Sequence, residues 1–352
     1  MPPGSSESAN RQPGLDGLRG LAAVAVFFHH TLAIPEGGFL GVDLFFVLSG
    51  FLITGLILRE CQTTGRLRFG RFYFRRAVRL LPAFAAMIAL YAILRFCFEP
   101  QLPGIGLRGA IEVLLWTNIA VLTPYLGHAW SLSIEWQFYL IWPFAAAAGV
   151  GRHGKARVAV LAAAGLAGGQ VMLWIFYVDL KINGLLIGAL LATCIAPLSR
   201  WVMALPWRWR EAAIGAGVLG FAVITLVSNY QQPFLTQFAE RWATQILGAL
   251  LIILASSGPG HSASWILCNP LARYCGRISY AVYLYHYPIA AVLYTTGHTP
   301  LAMLLIGLVS FPLADFSWRY LEAPLLAWGH RARVADGLKT RVAPLLWWRS
   351  NP

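Results

Sequence analysis

Apolar stretches recur along the chain at 18–33, 40–58, 80–98, 105–122, 131–149, 157–177, 183–197, 212–228, 242–256, 276–295 and 301–326, with short polar links between them. Most approach the roughly 20 residues that a helix needs to cross hydrocarbon. The pattern predicts an all-α, polytopic transmembrane helical bundle. Length alone would suggest about two soluble domains, but helix after helix with short links points to one integral domain over 15–328. Residues 1–14 are polar and read as a disordered cytoplasmic N-terminus; residues 329–352 read as a basic cytoplasmic tail. The first apolar run is followed by no small-residue cleavage pattern, and Asp16 and Arg19 stand at its beginning. It therefore reads as an uncleaved helix.

Composition agrees with that picture. Hydrophobic residues make up 58% and charged residues 12%, against about 45–50% and 25% in soluble domains. A net charge of +13 could suggest nucleic acid, but the positive residues flank apolar runs, as the positive-inside rule requires. Arg59, Arg66, Arg68, Arg71, Arg75, Arg76 and Arg79 form the densest cluster. This argues for membrane lipids and against nucleic acid as the surroundings. The five cysteines lack metal-ligand spacing and read as small buried hydrophobes, so no metal is expected.

The charges also fix a count. Eleven crossings cannot reconcile the basic loop at 59–79 with the basic C-terminus. Removing one crossing between 80 and 130 restores agreement, and 105–122, with Arg108 and Glu112, is the best candidate. The expectation is ten spans with both termini cytoplasmic, and 105–122 re-entrant or lying at the outer face.

Against this apolar background, a few ionisable residues stand out, because membrane burial of charge is costly and survives mainly where function uses it. Arg19 and His30 are eleven positions apart, about three helical turns, and so share one face. His29 points elsewhere. Asp43 and Glu135 open the second and fifth spans, at the depth expected for His30 near the outer leaflet. A carboxylate there could orient the imidazole of a general base. Hydrated residues at helix starts are the competing reading of both. Arg76 and Arg79 share a helical face and, with Arg19, could bind phosphates; a topology signal or headgroup anchor competes with that reading. Ser49, mid-span beside Gly50, reads as a packing residue that permits close helix approach, with a place in a cavity wall as the other candidate. His286, amid tyrosines, is a core histidine or a cavity residue. Glu322 and Arg319 are expected to pair.

Six segments resemble the acyltransferase-3 family of bacterial membrane proteins. They are LDGLRGLAA with Arg19 and His30, GVDLFFVLSGFLIT (41–54), FYFRRAVRLLP (72–82), WSLSIEWQFYLIWP (130–143), ISYAVYLYHYPI (278–289) and SWRYLEAPL (317–325). They occur in family order across nearly the whole chain. The resemblance implies a stand-alone O-acyltransferase of the bacterial inner membrane. Acyl-CoA, with acetyl-CoA favoured, would be the donor, and a carbohydrate or glycolipid hydroxyl the acceptor. The family's arginine–histidine pair maps to Arg19 and His30, and its paired-arginine motif to Arg76 and Arg79. A transporter or flippase of a glycan or lipid-linked substrate is the alternative, because arginines and histidines in spans also line substrate paths.

Overall fold

A computed structural model of the chain describes residues 12–98, 100–101, 104–119, 124–149, 154–176, 181–257, 265–294 and 300–335. Residues 1–11 and 336–352, assigned above to the two cytoplasmic ends, lie outside these.

The described residues form helices throughout: α1 (Pro13–Leu32), α2 (Gly41–Thr64), α3 (Phe69–Phe98), α4 (Leu107–Trp116), α5 (Trp130–Gly149), α6 (Gly154–Phe176), α7 (Asn183–Ala204), α8 (Trp207–Val227), α9 (Phe234–Ser256), α10 (Trp265–Cys268), α11 (Pro270–Tyr294), α12 (Pro300–Ser317) and α13 (Ala323–Ala335). Short 3-10 turns at Glu36–Leu40 and Pro124–Ala129 lead into α2 and α5, and a π-helical turn, Trp318–Glu322, joins α12 to α13. Pro13 opens α1, where its missing N–H costs nothing.

Ten of these helices have at least 18 residues, and seven stretches are also apolar enough to cross a membrane. The long helices outside that set are α1, α5 and α11. They carry the polar residues described below. Helix α4 has ten residues, about 15 Å at 1.5 Å per residue, or half the hydrocarbon thickness. It lies against α5: Ser133 Oγ accepts from the Thr117 amide at 3.2 Å and donates to the Val113 carbonyl at 3.0 Å. The outer faces of the bundle carry bare apolar side chains such as Ile93, Val160, Leu219, Leu226 and Leu304, as lipid contact requires.

Backbone-to-backbone packing sets the interior. Lipid tails are as apolar as leucine, so membrane helices associate where small residues let them approach. Helix α1 runs alongside α10 and α11. A Cβ added to Gly17 would sit 1.8 Å from the Leu267 carbonyl oxygen, one on Gly20 2.2 Å from that of Ala272, and one on Gly276 1.7 Å from that of Asp16. Gly50 plays the same part between α2 and α7, where a Cβ would lie 1.9 Å from the Leu185 carbonyl oxygen. The small pair at 49–50 therefore divides its work. Gly50 packs, whereas Ser49 faces the interior cavity.

Candidate active site

Helices α1, α2, α3, α5 and α11 line one cavity. Its polar lining is Arg19, Ser49, Arg76, Arg79, Ser131, Glu135, Tyr139, Ser279, Tyr280 and Tyr283, set among Phe45, Phe46, Leu52 and Leu132. The three arginines singled out in the sequence thus meet at one place.

Their surroundings separate them from the neighbouring basic residues. Arg75, one position from Arg76, forms an ion pair with Glu60, which also accepts from the Arg68 amide at 3.2 Å. Among the described residues Arg19, Arg76 and Arg79 have no carboxylate within ion-pair distance, and the Arg76 Nε is buried without a hydrogen-bond partner. A buried donor left unsatisfied costs about 1–3 kcal/mol. Three half-buried guanidiniums facing one carboxyl group, Glu135, make a cavity suited to an anion.

Glu135 corrects an expectation. It was placed at the depth of His30, counting from the start of its span. It instead lines the arginine cavity and accepts a hydrogen bond from the Ser49 hydroxyl. The Tyr139 hydroxyl donates to Ser49 Oγ at 3.3 Å. The cause is where α5 begins. The 3-10 turn before it is already inside the bundle, with Leu126 at 1% and Ala129 at 0% exposure, so counting from a surface helix start misplaces every residue after it. Ser49 is likewise more than the packing residue the sequence suggested, since the carboxylate it lacks in sequence arrives from α5.

Farther along α1, His30 belongs to an aromatic cluster. Its Nδ1 lies 2.9 Å from His286 Nε2, and His286 Nδ1 lies 2.9 Å from the Val282 carbonyl oxygen. The two rings stack with centroids 5.1 Å apart. His128, which the sequence reading passed over, stacks on Tyr287 at 4.8 Å and stands 5.8 Å from His286. His29 packs on Phe39 and Tyr230, with its ring centroid 5.1 Å from that of His30.

Cavity and cluster are joined through Tyr283. Its hydroxyl donates to the His128 carbonyl at 2.6 Å and, having one proton, accepts from Ser131 Oγ at 2.6 Å; its ring centroid lies 5.9 Å from that of His286. Arg19 and His30 are eleven residues apart on α1, about 16 Å.

Asp43 has two partners that the sequence did not suggest. Its carboxylate accepts from Arg241 at 3.2 Å and from Gln245 at 2.7 Å, both on α9. Arg241 also lies over the Phe39 ring at 5.5 Å. The expected Glu322–Arg319 pair is replaced. Arg319 binds Asp315 at 2.7 Å, one turn earlier, and Glu322, at the end of the π-helical turn, accepts from Ser317, the last residue of α12, at 3.1 Å. No group of three or more His, Cys, Asp or Glu suited to a metal ion occurs among the described residues.

The family profile described as an acyltransferase domain matches residues 12–319. Peptidoglycan O-acetyltransferase OatA of Listeria monocytogenes is 31% identical over 348 residues, which cover 89% of this chain and 55% of that protein. O-acetyltransferase OatA of Staphylococcus aureus is 30% identical over 361 residues, covering 91% and 58%. The chain thus spans little more than half the length of these curated relatives. No solved structure matches it.

Proposed function

Because this chain belongs to the acyltransferase-domain family, we propose that it is a membrane O-acetyltransferase that moves an acetyl group from acetyl-CoA to a hydroxyl of a cell-envelope carbohydrate. The relatives named as peptidoglycan O-acetyltransferases make a peptidoglycan sugar the favoured acceptor. The observation that carries the donor assignment is the set of three guanidiniums, Arg19, Arg76 and Arg79, that line one cavity without an ion-pair partner among the described residues.

In this account the donor phosphates sit among these arginines, on the cytoplasmic side of an inner-membrane protein with both termini inside. Ten crossings, with α4 not crossing, place the basic loops on that side. The acyl-bearing arm lies along the cavity past Tyr283 toward His30. His30 removes the proton of the acceptor hydroxyl, the oxygen attacks the thioester carbonyl, and the coenzyme thiolate leaves. A positioned base of this kind contributes about 10²–10⁴-fold. Glu135 and Ser49, hydrogen-bonded to one another at the arginine end, hold the cavity wall beside the donor.

Purified protein in vesicles, supplied with acetyl-CoA labelled in its acetyl group and with peptidoglycan fragments, tests this. Label recovered as an ester on the sugar is expected. Intact donor with folded protein and both substrates present, or acetylation from a donor other than the thioester, would overturn the assignment.

A further inference from the structure

We propose that His286 is a positioning residue that fixes the tautomer of His30, so that the lone pair of the base resides on His30 Nε2. This rests on the assignment of His30 as base.

The inference follows from hydrogen-bond accounting along one short chain of atoms. The Val282 carbonyl oxygen can only accept, and it lies 2.9 Å from His286 Nδ1. His286 Nδ1 must therefore carry a proton. A neutral imidazole has one N–H, so His286 Nε2 bears a lone pair. That atom lies 2.9 Å from His30 Nδ1. His30 Nδ1 must then be the donor, and the remaining lone pair of His30 falls on Nε2. The hydrogen bond made by one ring nitrogen thus decides what the other can do.

The surroundings hold this chain in place. His286 is fully buried, at 0% exposure, and its partner carbonyl lies one turn back on the same helix. Phe27 packs on its ring at 5.8 Å and Tyr283 at 5.9 Å. The backbone contact of α1 with α11 at Gly20 and Gly276 sets the distance between the two histidines. A backbone carbonyl here ends a relay for which the sequence offered the carboxylates of Asp43 and Glu135. When His30 takes the acceptor proton, the cation is stabilised by the same His286 lone pair.

Two variants separate positioning from packing. In His286→Gln the side-chain oxygen can take the place of Nε2 as acceptor; in His286→Leu nothing can. Acetyl transfer should fall about 10²–10⁴-fold in kcat for His286→Leu, with the donor KM unchanged, and stay within about tenfold of wild type for His286→Gln. Nitrogen NMR of the wild-type protein labelled in histidine should show His30 protonated at Nδ1, with the proton redistributed in His286→Leu. Equal loss in both variants, or a wild-type His30 protonated at Nε2, would overturn the proposal. His30→Ala is the separate control. If it retains activity, the base assignment itself falls, and the proposal with it. Should His286→Leu fail to accumulate, His286→Gln and the wild-type spectrum still decide.

Discussion

Gly276→Ala should damage catalysis through a distance, without touching any reacting group. The new methyl carbon would start 1.7 Å from the Asp16 carbonyl oxygen, whereas ordinary contact begins at 3.4 Å, so about 1.7 Å must be found. The obstacle is helix backbone on both sides, which cannot rotate away as a side chain would. Helices α1 and α11 must separate, and overpacking of this kind costs about 1–3 kcal/mol. The same separation acts on the 2.9 Å bond between His30 and His286, since each helix carries one of the pair. A displacement of this size takes it past the limit for a hydrogen bond. Misplacement by about 1 Å can cost about 10²-fold in rate. The variant should therefore melt several degrees lower in detergent and lose about 10²-fold in acetyl transfer per folded molecule. Gly168→Ala in α6 is the control, because a Cβ there meets nothing within 4 Å; it should be neutral or slightly stabilising. A Gly276→Ala protein with wild-type melting and activity would refute the packing account.

Other outcomes follow from the same geometry. Arg76→Lys with Arg79→Lys keeps the charge but removes the guanidinium fork; about a tenfold loss of acetyl-CoA affinity per position is expected, with normal insertion, and unaltered affinity would remove the arginines from the donor site. Asp43→Asn leaves Arg241 short of a counter-charge and should cost about 1–3 kcal/mol, given that Arg241 is part-exposed. Adding Arg241→Met should recover part of that loss, and an Asp43→Asn protein as stable as wild type would sink the ion-pair account. Cysteines placed at Gly104 and Asn118, after replacement of the exposed Cys97, should react from the same side of the membrane; labelling from opposite sides would mean that this segment crosses.

The helices and most of the site were legible in the sequence because both depend on local spacing. Eleven residues put Arg19 and His30 on one face, and three put Arg76 and Arg79 on one face, whatever the rest of the fold does. The segment at 105–122 was set apart by a charge count, and α4, within it, has ten residues. What failed depended on depth or on partners from distant helices. Glu135 was misplaced because α5 starts inside the bundle, a fact written in the burial of Leu126, His128 and Ala129 and not in any local pattern. The Asp43–Arg241 pair joins residues 198 positions apart. His128 sits in a 3-10 turn with no helical periodicity to expose it, although a histidine five residues before the conspicuous Ser133–Glu135 stretch was a signal within reach. Arg319 was paired with the wrong acid because Asp315, four residues earlier, offered the better helical spacing.

The central claim is that His30 is the base and that His29, its neighbour in sequence, is not. Mass spectrometry of O-acetylated envelope glycan, in a deletion strain carrying wild type, His30→Ala or His29→Ala at equal membrane abundance, tests it directly. The account predicts no detectable acetylation with His30→Ala and near-normal acetylation with His29→Ala, whose ring packs toward Phe39 and Tyr230. Near-normal acetylation with His30→Ala would contradict it.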